Sequence, residues 1–138
     1  MSSEKTGHSI ATPHIPVSWG ELIDKITILE IKAARLTSAT ALQNVRNELA
    51  QLTEKTLPLG DMAPQVAPLK ADLTRVNEAL WEIEDKIRDK EAAKAFDAAF
   101  IEMARSVYVT NDQRAALKRR INQLLASELV EEKGYAAY

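Results

Sequence analysis

Cysteine is missing from this sequence, so disulfide bonds, thiolate metal sites and cysteine nucleophiles are excluded. A chain without cysteine fits a reducing compartment, and we expect the protein to be cytoplasmic. Glycine occurs only four times, and the scattered glycines form neither a P-loop nor a GxGxxG turn. The GxSxG motif that carries the nucleophile of many hydrolases is also absent. The sequence therefore contains no motif specific enough to name a reaction.

Long hydrophobic runs and a strong net charge are missing as well. No apolar run approaches the roughly 20 residues that a membrane-spanning helix needs. The formal net charge of −2 gives no overall field to attract a nucleic acid or an anionic membrane, and we expect neither as a partner. The basic cluster Lys118-Arg119-Arg120 is too small to change this expectation. The two histidines, His8 and His14, do not make a metal site without cysteine or nearby acids, and no cofactor is expected.

The residues that are abundant favour helices, since Ala, Leu, Glu, Lys and Arg all have high helix propensity. The 138 residues, of which 46% are hydrophobic and 28% charged, suit one globular domain. Residues 1–16 contain Ser, Thr, Gly and Pro and are predicted to form a flexible N-terminal arm. Residues 17–138 are predicted to form a single all-α domain, an antiparallel bundle of four to five helices.

The first predicted helix has a clear start signal, because Ser18 and Glu21 match a capping box. Apolar residues then recur at helical spacing, which indicates a helix buried on more than one side. Residues 26–31 are dense in β-branched side chains and would also suit a strand, but the capping box and the periodicity favour a helix. A turn near residues 37–40 leads into a second amphipathic helix, which ends before Pro58.

Residues 57–68 contain three prolines and are predicted to be the main internal loop. A third helix is then predicted from strict a/d spacing of Leu69, Leu73, Val76, Leu80, Ile83 and Ile87. The apolar register changes at residues 92–95, where we place a bend, although the helix could also run through this stretch. Thr110 and Gln113 match a second capping box, with Asn111 and Asp112 as rival caps, and are predicted to start the last helix.

The strongest polar constellation surrounds this predicted helix start. Arg114, Lys118 and Asn122 are spaced four residues apart and therefore share one helix face. Free backbone N–H groups and the helix dipole would favour an anion there, and Arg presents a planar fork that suits phosphate or carboxylate. Arg105 and Tyr108, from the preceding helix, are expected to close over the same spot. The alternative is that the caps are structural and that the cations face solvent or pair with acids.

A second constellation lies on the third predicted helix, beside its apolar seam. Trp81, Asp85 and Arg88 recur at helical spacing, together with Asn77 and Glu84. This row would form one wall of a polar pocket, with the Trp81 ring packing while its N–H finds a partner. The alternative interpretation is a stripe that contacts another helix or subunit, with Glu84 and Arg88 as an ordinary ion pair.

Two carboxylate pairs, Glu21 with Asp24 and Glu82 with Asp85, raise a third possibility. Carboxylates from two helices can hold Mg²⁺, a hard cation that prefers oxygen ligands. All-α nucleoside-triphosphate pyrophosphohydrolases use paired ExxE/D motifs in this way, and the resemblance would imply a Mg²⁺-dependent nucleotide hydrolase. The two pairs stand much further apart here than in that family, and Asp24 takes the place of a Glu. We therefore assign no metal ligand.

A wider resemblance rests on five segments of the chain. They are residues 17–32 (VSWGELIDKITILEIK), 80–88 (LWEIEDKIR), 104–108 (ARSVY), 111–115 (NDQRA) and 129–133 (LVEEK). Together they resemble a family of small uncharacterised bacterial proteins, a domain of unknown function, over most of the predicted folded region. The resemblance implies a bacterial source and a standalone or fused helical domain, and it supplies no reaction. It also implies a nucleotide-sugar or glycan context, which guides the choice of ligands.

The sequence thus leads to three functional hypotheses. The first is a binding module with a cationic site for an anionic small molecule, a nucleotide or a nucleotide sugar. Its predicted ligand contacts are Trp81, Asp85, Arg88, Arg105, Tyr108, Arg114 and Lys118. The alternatives are a dimeric structural or protein-interaction module without a small-molecule site, and the Mg²⁺-dependent pyrophosphohydrolase-like enzyme. A homo-oligomer is expected, because an apolar seam left over by a small bundle is most often covered by its own copy.

Overall fold

The computed structural model describes residues 9–138, which form four α-helices and no strand. The α-helices are α1, Trp19–Arg35; α2, Ala39–Glu54; α3, Ala63–Ala92; and α4, Ala98–Leu124. A short 3-10 helix, Leu57–Met62, connects α2 to α3. The predicted all-α bundle is confirmed. Residues 1–8 of the predicted arm, with His8, lie outside the described residues, and residues 9–16 are exposed and form neither helix nor strand.

α1 is the central helix and contacts each of the other three α-helices. It begins where the sequence predicts, because the Ser18 Oγ accepts a hydrogen bond from the Glu21 backbone N–H at 3.1 Å. The carboxylate of Glu21 lies against Lys118 of α4. More than one face of α1 is buried, as its dense apolar pattern predicts. Its buried side chains are Leu22, Ile23, Asp24, Ile26, Thr27, Leu29 and Ile31.

α3 and α4 form a long hairpin, joined by residues 93–97, and pack along each other. With 30 and 27 residues they are about 45 and 40 Å long at 1.5 Å per residue. The core lies where α1 packs against one end of this hairpin. Its buried members are Ile23, Val66, Leu73, Leu117 and Ile121. α2 packs on the outer side of α1 and buries only Val45.

The internal loop predicted at residues 57–68 is largely helical in the structure. The 3-10 helix turns the chain, with Gly60 in the left-handed region at φ 49°, and α3 then starts at Ala63. Pro64 is tolerated in the first turn, where backbone N–H groups have no intrahelical partner. Pro68 lies inside α3 on an exposed stretch, where water can bond the carbonyl that loses its partner. The loop prediction was therefore wrong for residues 63–68.

The bend placed at residues 92–95 is confirmed. α3 ends at Ala92, and Lys94 follows in the left-handed region with φ 54°. α4 begins after Asp97, whose Oδ1 accepts a hydrogen bond from the Phe100 backbone N–H at 2.9 Å. Asp97 also pairs with Lys90 across the turn at 2.8 Å, so the end of α3 and the start of α4 are tied together.

The second capping box is wrong, because α4 runs without a break through Thr110 and Gln113. Thr, Asn and Asp have low intrinsic helix propensity, but packing against α3 outweighs it here. Asp112 is also ion-paired to Lys133 from the C-terminal end of the chain. Arg114 therefore lies in the interior of a helix, and no free backbone N–H groups of a helix start are available beside it. This removes the dipole argument for the predicted anion site.

The outer part of the α3–α4 hairpin begins beside the last turn of α1, where Glu82 pairs with Arg35. We call residues 78–112 the distal hairpin, and no residue of this fully described stretch is buried. Several of its apolar side chains are exposed, including Phe96 and Ile101 at 55% and 56%. Two helices alone therefore leave much of their apolar seam in contact with water. No helix among residues 9–138 is both long and apolar enough to cross a membrane.

Candidate functional site

A buried polar network joins α1, α3 and α4. Asp24 is only 1% exposed, and its carboxylate accepts two hydrogen bonds from Arg114, from Nε at 2.9 Å and from Nη2 at 2.5 Å. Asn77 Nδ2 donates to Asp24 Oδ1 and to Thr27 Oγ1, both at 2.9 Å. Hydrogen bonding to Asp24 raises the pKa of Arg114 further above its usual value. Arg114 of α4 is thus held by Asp24 of α1, which Asn77 of α3 holds in turn.

α1 and α4 approach each other closely at Gly20. Its backbone N–H donates to Asn122 Oδ1 at 2.7 Å, in a buried position. A Cβ at Gly20 would lie 2.4 Å from the backbone oxygen of Lys118, so only glycine fits this contact. The Trp19 N–H, one residue earlier, is 3.3 Å from Ser127 Oγ. These contacts hold the start of α1 against the last turns of α4, where Lys118 lies.

Lys118 binds carboxylates from two other parts of the chain. Its Nζ is 2.9 Å from Glu21 Oε2 of α1 and 2.6 Å from Glu131 Oε1 of the C-terminal segment. Burial alone would lower the pKa of Lys118, but hydrogen bonds to Glu131 and Glu21 raise it above its usual value. Lys118 therefore stays protonated although its side chain is only 11% exposed.

The C-terminal strap, which we define as residues 128–138, runs back along α4. Every residue of the strap is exposed, and none lies in a helix or strand. Besides Glu131, its contacts with α4 include Glu132, whose Oε1 is 3.7 Å from Arg119 Nη2, and the ion pair between Lys133 and Asp112. The Tyr138 ring meets the Tyr108 ring edge to face, with centroids 5.0 Å apart.

A cavity of about 1100 Å³ lies between the strap and α4, and we call it the tyrosine cavity. It is lined by Tyr108, Tyr135 and Tyr138, which are all three tyrosines of the chain. Its charged lining side chains are Asp112, Arg114, Lys118, Arg119, Glu131, Glu132 and Lys133. A hydrogen bond to Asp112 raises the pKa of Tyr138 above its usual value. The cavity thus combines aromatic surface with four cations and three acids.

A smaller cleft of about 320 Å³ opens between α1 and α3, and we call it the tryptophan cleft. Its apolar walls are Ile28, Ile31, Leu80 and Trp81, and its polar lining is Asn77, Glu84, Asp85, Arg88 and Arg114. Arg35 lies over the Trp81 ring, 5.6 Å from the centroid. Arg88 pairs with Glu84 at 3.3 Å, as the structural alternative proposed. Arg114 lines both the cleft and the tyrosine cavity.

The two predicted constellations are therefore each gathered around one cavity. Tyr108, Arg114 and Lys118 line the tyrosine cavity, whereas Trp81, Asp85 and Arg88 line the tryptophan cleft. Arg105 lines neither; its exposed guanidinium pairs with Glu102 at 2.8 Å and lies beside the Tyr108 side chain. That these residues bind a ligand stays a prediction.

The four acids of the predicted hydrolase do not converge. Asp24 is bonded to Arg114, Glu21 to Lys118, and Glu82 to Arg35 at 2.6 Å. Asp85 lines the tryptophan cleft. Within residues 9–138 no group of three or more His, Cys, Asp or Glu side chains is placed to hold a metal ion. The geometry that this alternative required is therefore not found among these residues.

Several residues of the site were missed from the sequence. The strap residues Glu131, Glu132, Tyr135 and Tyr138 follow the end of α4, and no helical spacing links them to the α4 residues that they approach. Gly20 did carry a signal, because a glycine inside a helical pattern often marks close packing. The acids in the strap are an ordinary charge run by sequence, so only the folded structure identifies their partners.

Comparison with known proteins identifies a family. The family model described as "Family of unknown function (DUF6165)" matches residues 7–138. The chain belongs to this family. The five segments that carry the resemblance all fall inside the match, so membership of a family of unknown function is confirmed. No curated protein and no solved structure matches the chain. The function must therefore be argued from the site itself.

Proposed function

We propose that this protein is a binding module for an anionic small molecule, held in the tyrosine cavity. The proposal is based on one observation. All three tyrosines line the same cavity as the cations Arg114, Lys118, Arg119 and Lys133. The cations would bind phosphate or carboxylate groups, and the tyrosine rings would pack on a planar ring. A nucleotide or nucleotide sugar combines an anionic and a planar part, and is the ligand class of this proposal.

The cations differ in how many hydrogen bonds they can still donate to a ligand. Arg114 uses Nε and Nη2 on Asp24, and Nη1 makes only a long contact of 3.5 Å with Asn111 Oδ1. Lys118 already bonds two carboxylates. Arg119 is 46% exposed, and its Nη2 is 3.7 Å from Glu132, which is longer than a hydrogen bond. We therefore expect Arg119 to make the strongest new contact with a ligand.

The buried network supports the proposal by preorganising the site. Asn77 holds Asp24, and Asp24 holds Arg114 through two hydrogen bonds, so the remaining N–H groups of Arg114 point in a fixed direction. A side chain that is already ordered loses little entropy when a ligand binds. Side chains held in place by packing and hydrogen bonds are what a precise binding site requires.

Arg119→Ala is expected to weaken the binding of ADP and of inorganic pyrophosphate about 10-fold or more, because a hydrogen bond to a charged group contributes roughly 1.5–3 kcal/mol. Isothermal titration at fixed ionic strength measures both affinities. ADP is expected to bind more tightly than pyrophosphate, since its ring adds contact with the tyrosines.

Arg120→Ala is the matched control, because Arg120 is the next residue of α4, is exposed, and does not line the tyrosine cavity. It removes the same charge and should change either affinity less than about 2-fold. Equal weakening in the two variants would mean that only the general charge of α4 attracts the anions. The absence of saturable binding of both ligands would refute the proposal.

A second candidate function, self-association, is favoured by the distal hairpin. Its seam is half exposed although the rest of the bundle has a buried core. Two copies of a helical hairpin can cover each other as a four-helix bundle, and closed homodimers are the commonest oligomers. This candidate commits to a second copy of the chain as the partner, and it is compatible with a ligand in the tyrosine cavity.

Ile101→Gln is expected to raise the dissociation constant of this homodimer about 10-fold or more, because burying an isoleucine side chain contributes roughly 1.5–3 kcal/mol. Ile101 is 56% exposed in the single chain, so the change should leave the fold intact. Analytical ultracentrifugation over a wide concentration range measures the constant. Glu102→Gln, at the neighbouring exposed position, is the control. A wild-type protein that stays monomeric throughout would rule this candidate out.

A further inference from the structure

Two carboxylates of the strap already lie beside α4 cations in the tyrosine cavity. Glu131 Oε1 lies 2.6 Å from Lys118 Nζ, and Glu132 Oε1 lies 3.7 Å from Arg119 Nη2. Both carboxylates belong to the strap and both cations belong to α4. The carboxylates therefore occupy the positions next to the cations where the anionic part of a ligand would have to bind.

The strap is held to α4 by exposed contacts that a ligand can replace. All its residues are exposed, and the side chains of Glu131 and Glu132 are 58% and 80% exposed in their ion pairs. Exposed ion pairs contribute little to stability, because water and salt compete with each partner. A segment that lies outside the helices and has no buried residue opens locally at low cost in free energy. Replacing these contacts therefore requires no change in the helical core.

Lys118 would keep its place when the strap carboxylate leaves. Its second partner, Glu21, belongs to the first turn of α1 and stays 2.9 Å away. The Tyr138 ring and Lys133 make separate contacts, with Tyr108 and with Asp112. These contacts can retain the aromatic wall of the cavity while Glu131 and Glu132 move. Lys118 thus keeps Glu21 as a fixed partner, whereas Glu131 and Glu132 can be exchanged for a ligand.

We propose that Glu131 and Glu132 are internal competitors that a ligand's anionic groups displace from Lys118 and Arg119. The inference rests on the proposed function, since it concerns the regulation of the same site. In the absence of ligand the two carboxylates neutralise the α4 cations. In its presence the ligand takes over this neutralisation, and the middle of the strap is released from α4. Competition from Glu131 and Glu132 therefore raises the concentration of anionic ligand that is needed to occupy the cavity.

Glu131→Gln is expected to increase the affinity for inorganic pyrophosphate about fivefold, because one competing ion pair is weakened while the cavity keeps its shape. Glu128→Gln is the matched control, since it removes the same charge from the same strap. Glu128 makes no ion pair with the part of the chain that the structure describes. Isothermal titration of wild-type protein and both variants at equal ionic strength gives the comparison.

Each outcome of this titration is decisive. A gain in Glu131→Gln that is absent in Glu128→Gln supports the competition. Equal affinities in wild type and Glu131→Gln, or equal gains in both variants, overturn it while leaving the proposed binding function in place. If none of the three proteins binds pyrophosphate or ADP, the proposed function fails and the inference fails with it.

A second measurement follows the strap directly in the wild-type protein. The heteronuclear ¹H–¹⁵N NOE of the Glu131 and Glu132 amides is expected to fall as pyrophosphate saturates the site, because the released segment gains fast motion. The amides of α4 at Leu117 and Ile121, in the core, serve as the reference. Unchanged or higher values at Glu131 and Glu132 in the saturated protein would overturn the release of the strap.

Discussion

Gly20→Ala is expected to reduce the free energy of unfolding by about 3 kcal/mol, although alanine normally favours a helix over glycine. The new Cβ would lie 2.4 Å from the backbone oxygen of Lys118 and 3.0 Å from Asn122 Oδ1. A backbone oxygen cannot rotate away, so α1 and α4 must move apart. That movement also stretches the 2.7 Å hydrogen bond between Gly20 N–H and Asn122. Urea unfolding followed by circular dichroism measures the loss.

Gly134→Ala is the control for this substitution. A Cβ at Gly134 meets no other atom within 4 Å, so the expected change is within about 0.5 kcal/mol of zero. A Gly20→Ala protein as stable as the wild type would mean that the two helices can separate at little cost. The close approach of α1 and α4 would then not be what positions Lys118.

Asp24→Ala is expected to destabilise the protein by about 3 kcal/mol or more, because it leaves Arg114 as a partly buried charge without its partner. The carboxylate is 1% exposed and the Arg114 side chain 28% exposed, so water can compensate only in part. Asn77 also loses one of its two hydrogen-bond acceptors. Chemical unfolding of the variant provides the measurement, with Asp85→Ala as an exposed-acid control expected to change stability by less than about 0.5 kcal/mol.

A double-mutant cycle separates the ion pair from the other contacts of Asp24. If the pair is coupled as the distances indicate, Asp24→Ala and Arg114→Ala together should cost less than the sum of the single changes, by about 1–3 kcal/mol. Additive losses would contradict the assignment of the 2.5–2.9 Å contacts as a strong pair. The energetic importance of the network would then come from packing around Asn77 and Thr27.

The start of α1 could be predicted because its signals are local. Ser18 accepts the hydrogen bond of an N-cap as the capping box requires, and the apolar pattern predicts burial on several sides. The hydrogen-bond partner of an N-cap lies only three residues away, so the motif can be recognised from neighbouring residues alone. The break between α3 and α4 was also visible, as a change of apolar register near residues 92–95.

The same local signals gave a wrong prediction at Thr110, where no helix begins. The residues Thr110 to Gln113 match a capping box as well as those at Ser18 do, yet they lie within α4. What differs is the environment, since α4 packs along α3 on both sides of this point. Propensity and capping contribute about 1 kcal/mol each, and tertiary packing of a long helix exceeds them. A capping motif therefore predicts a helix start only where packing does not continue through it.

The candidate site was predicted in its parts but not in its arrangement. Helical spacing placed Arg114 with Lys118 and Trp81 with Arg88 on common faces, as α-helix geometry requires. It could not show that Arg114 would lie between two cavities, nor that Asp24 would hold it. It also could not show that a strap carrying Glu131 would return to Lys118. The Asp24 contacts join residues 53 and 90 positions apart in the chain, and the Lys118–Glu131 contact crosses the end of α4, so no helical spacing predicts any of them.

The helical class, the start of α1, the break near residue 93 and membership of the family could all be predicted from the sequence. Each of them depends on composition, on near neighbours or on the pattern of residues along the chain. Only the tertiary structure decided which charges are paired and which face a cavity. The reason is that the cost of a charge depends on its partner and its exposure, and both are set by how the helices and the strap pack. Lys118 shows this directly, since its two partners come from opposite ends of the folded chain.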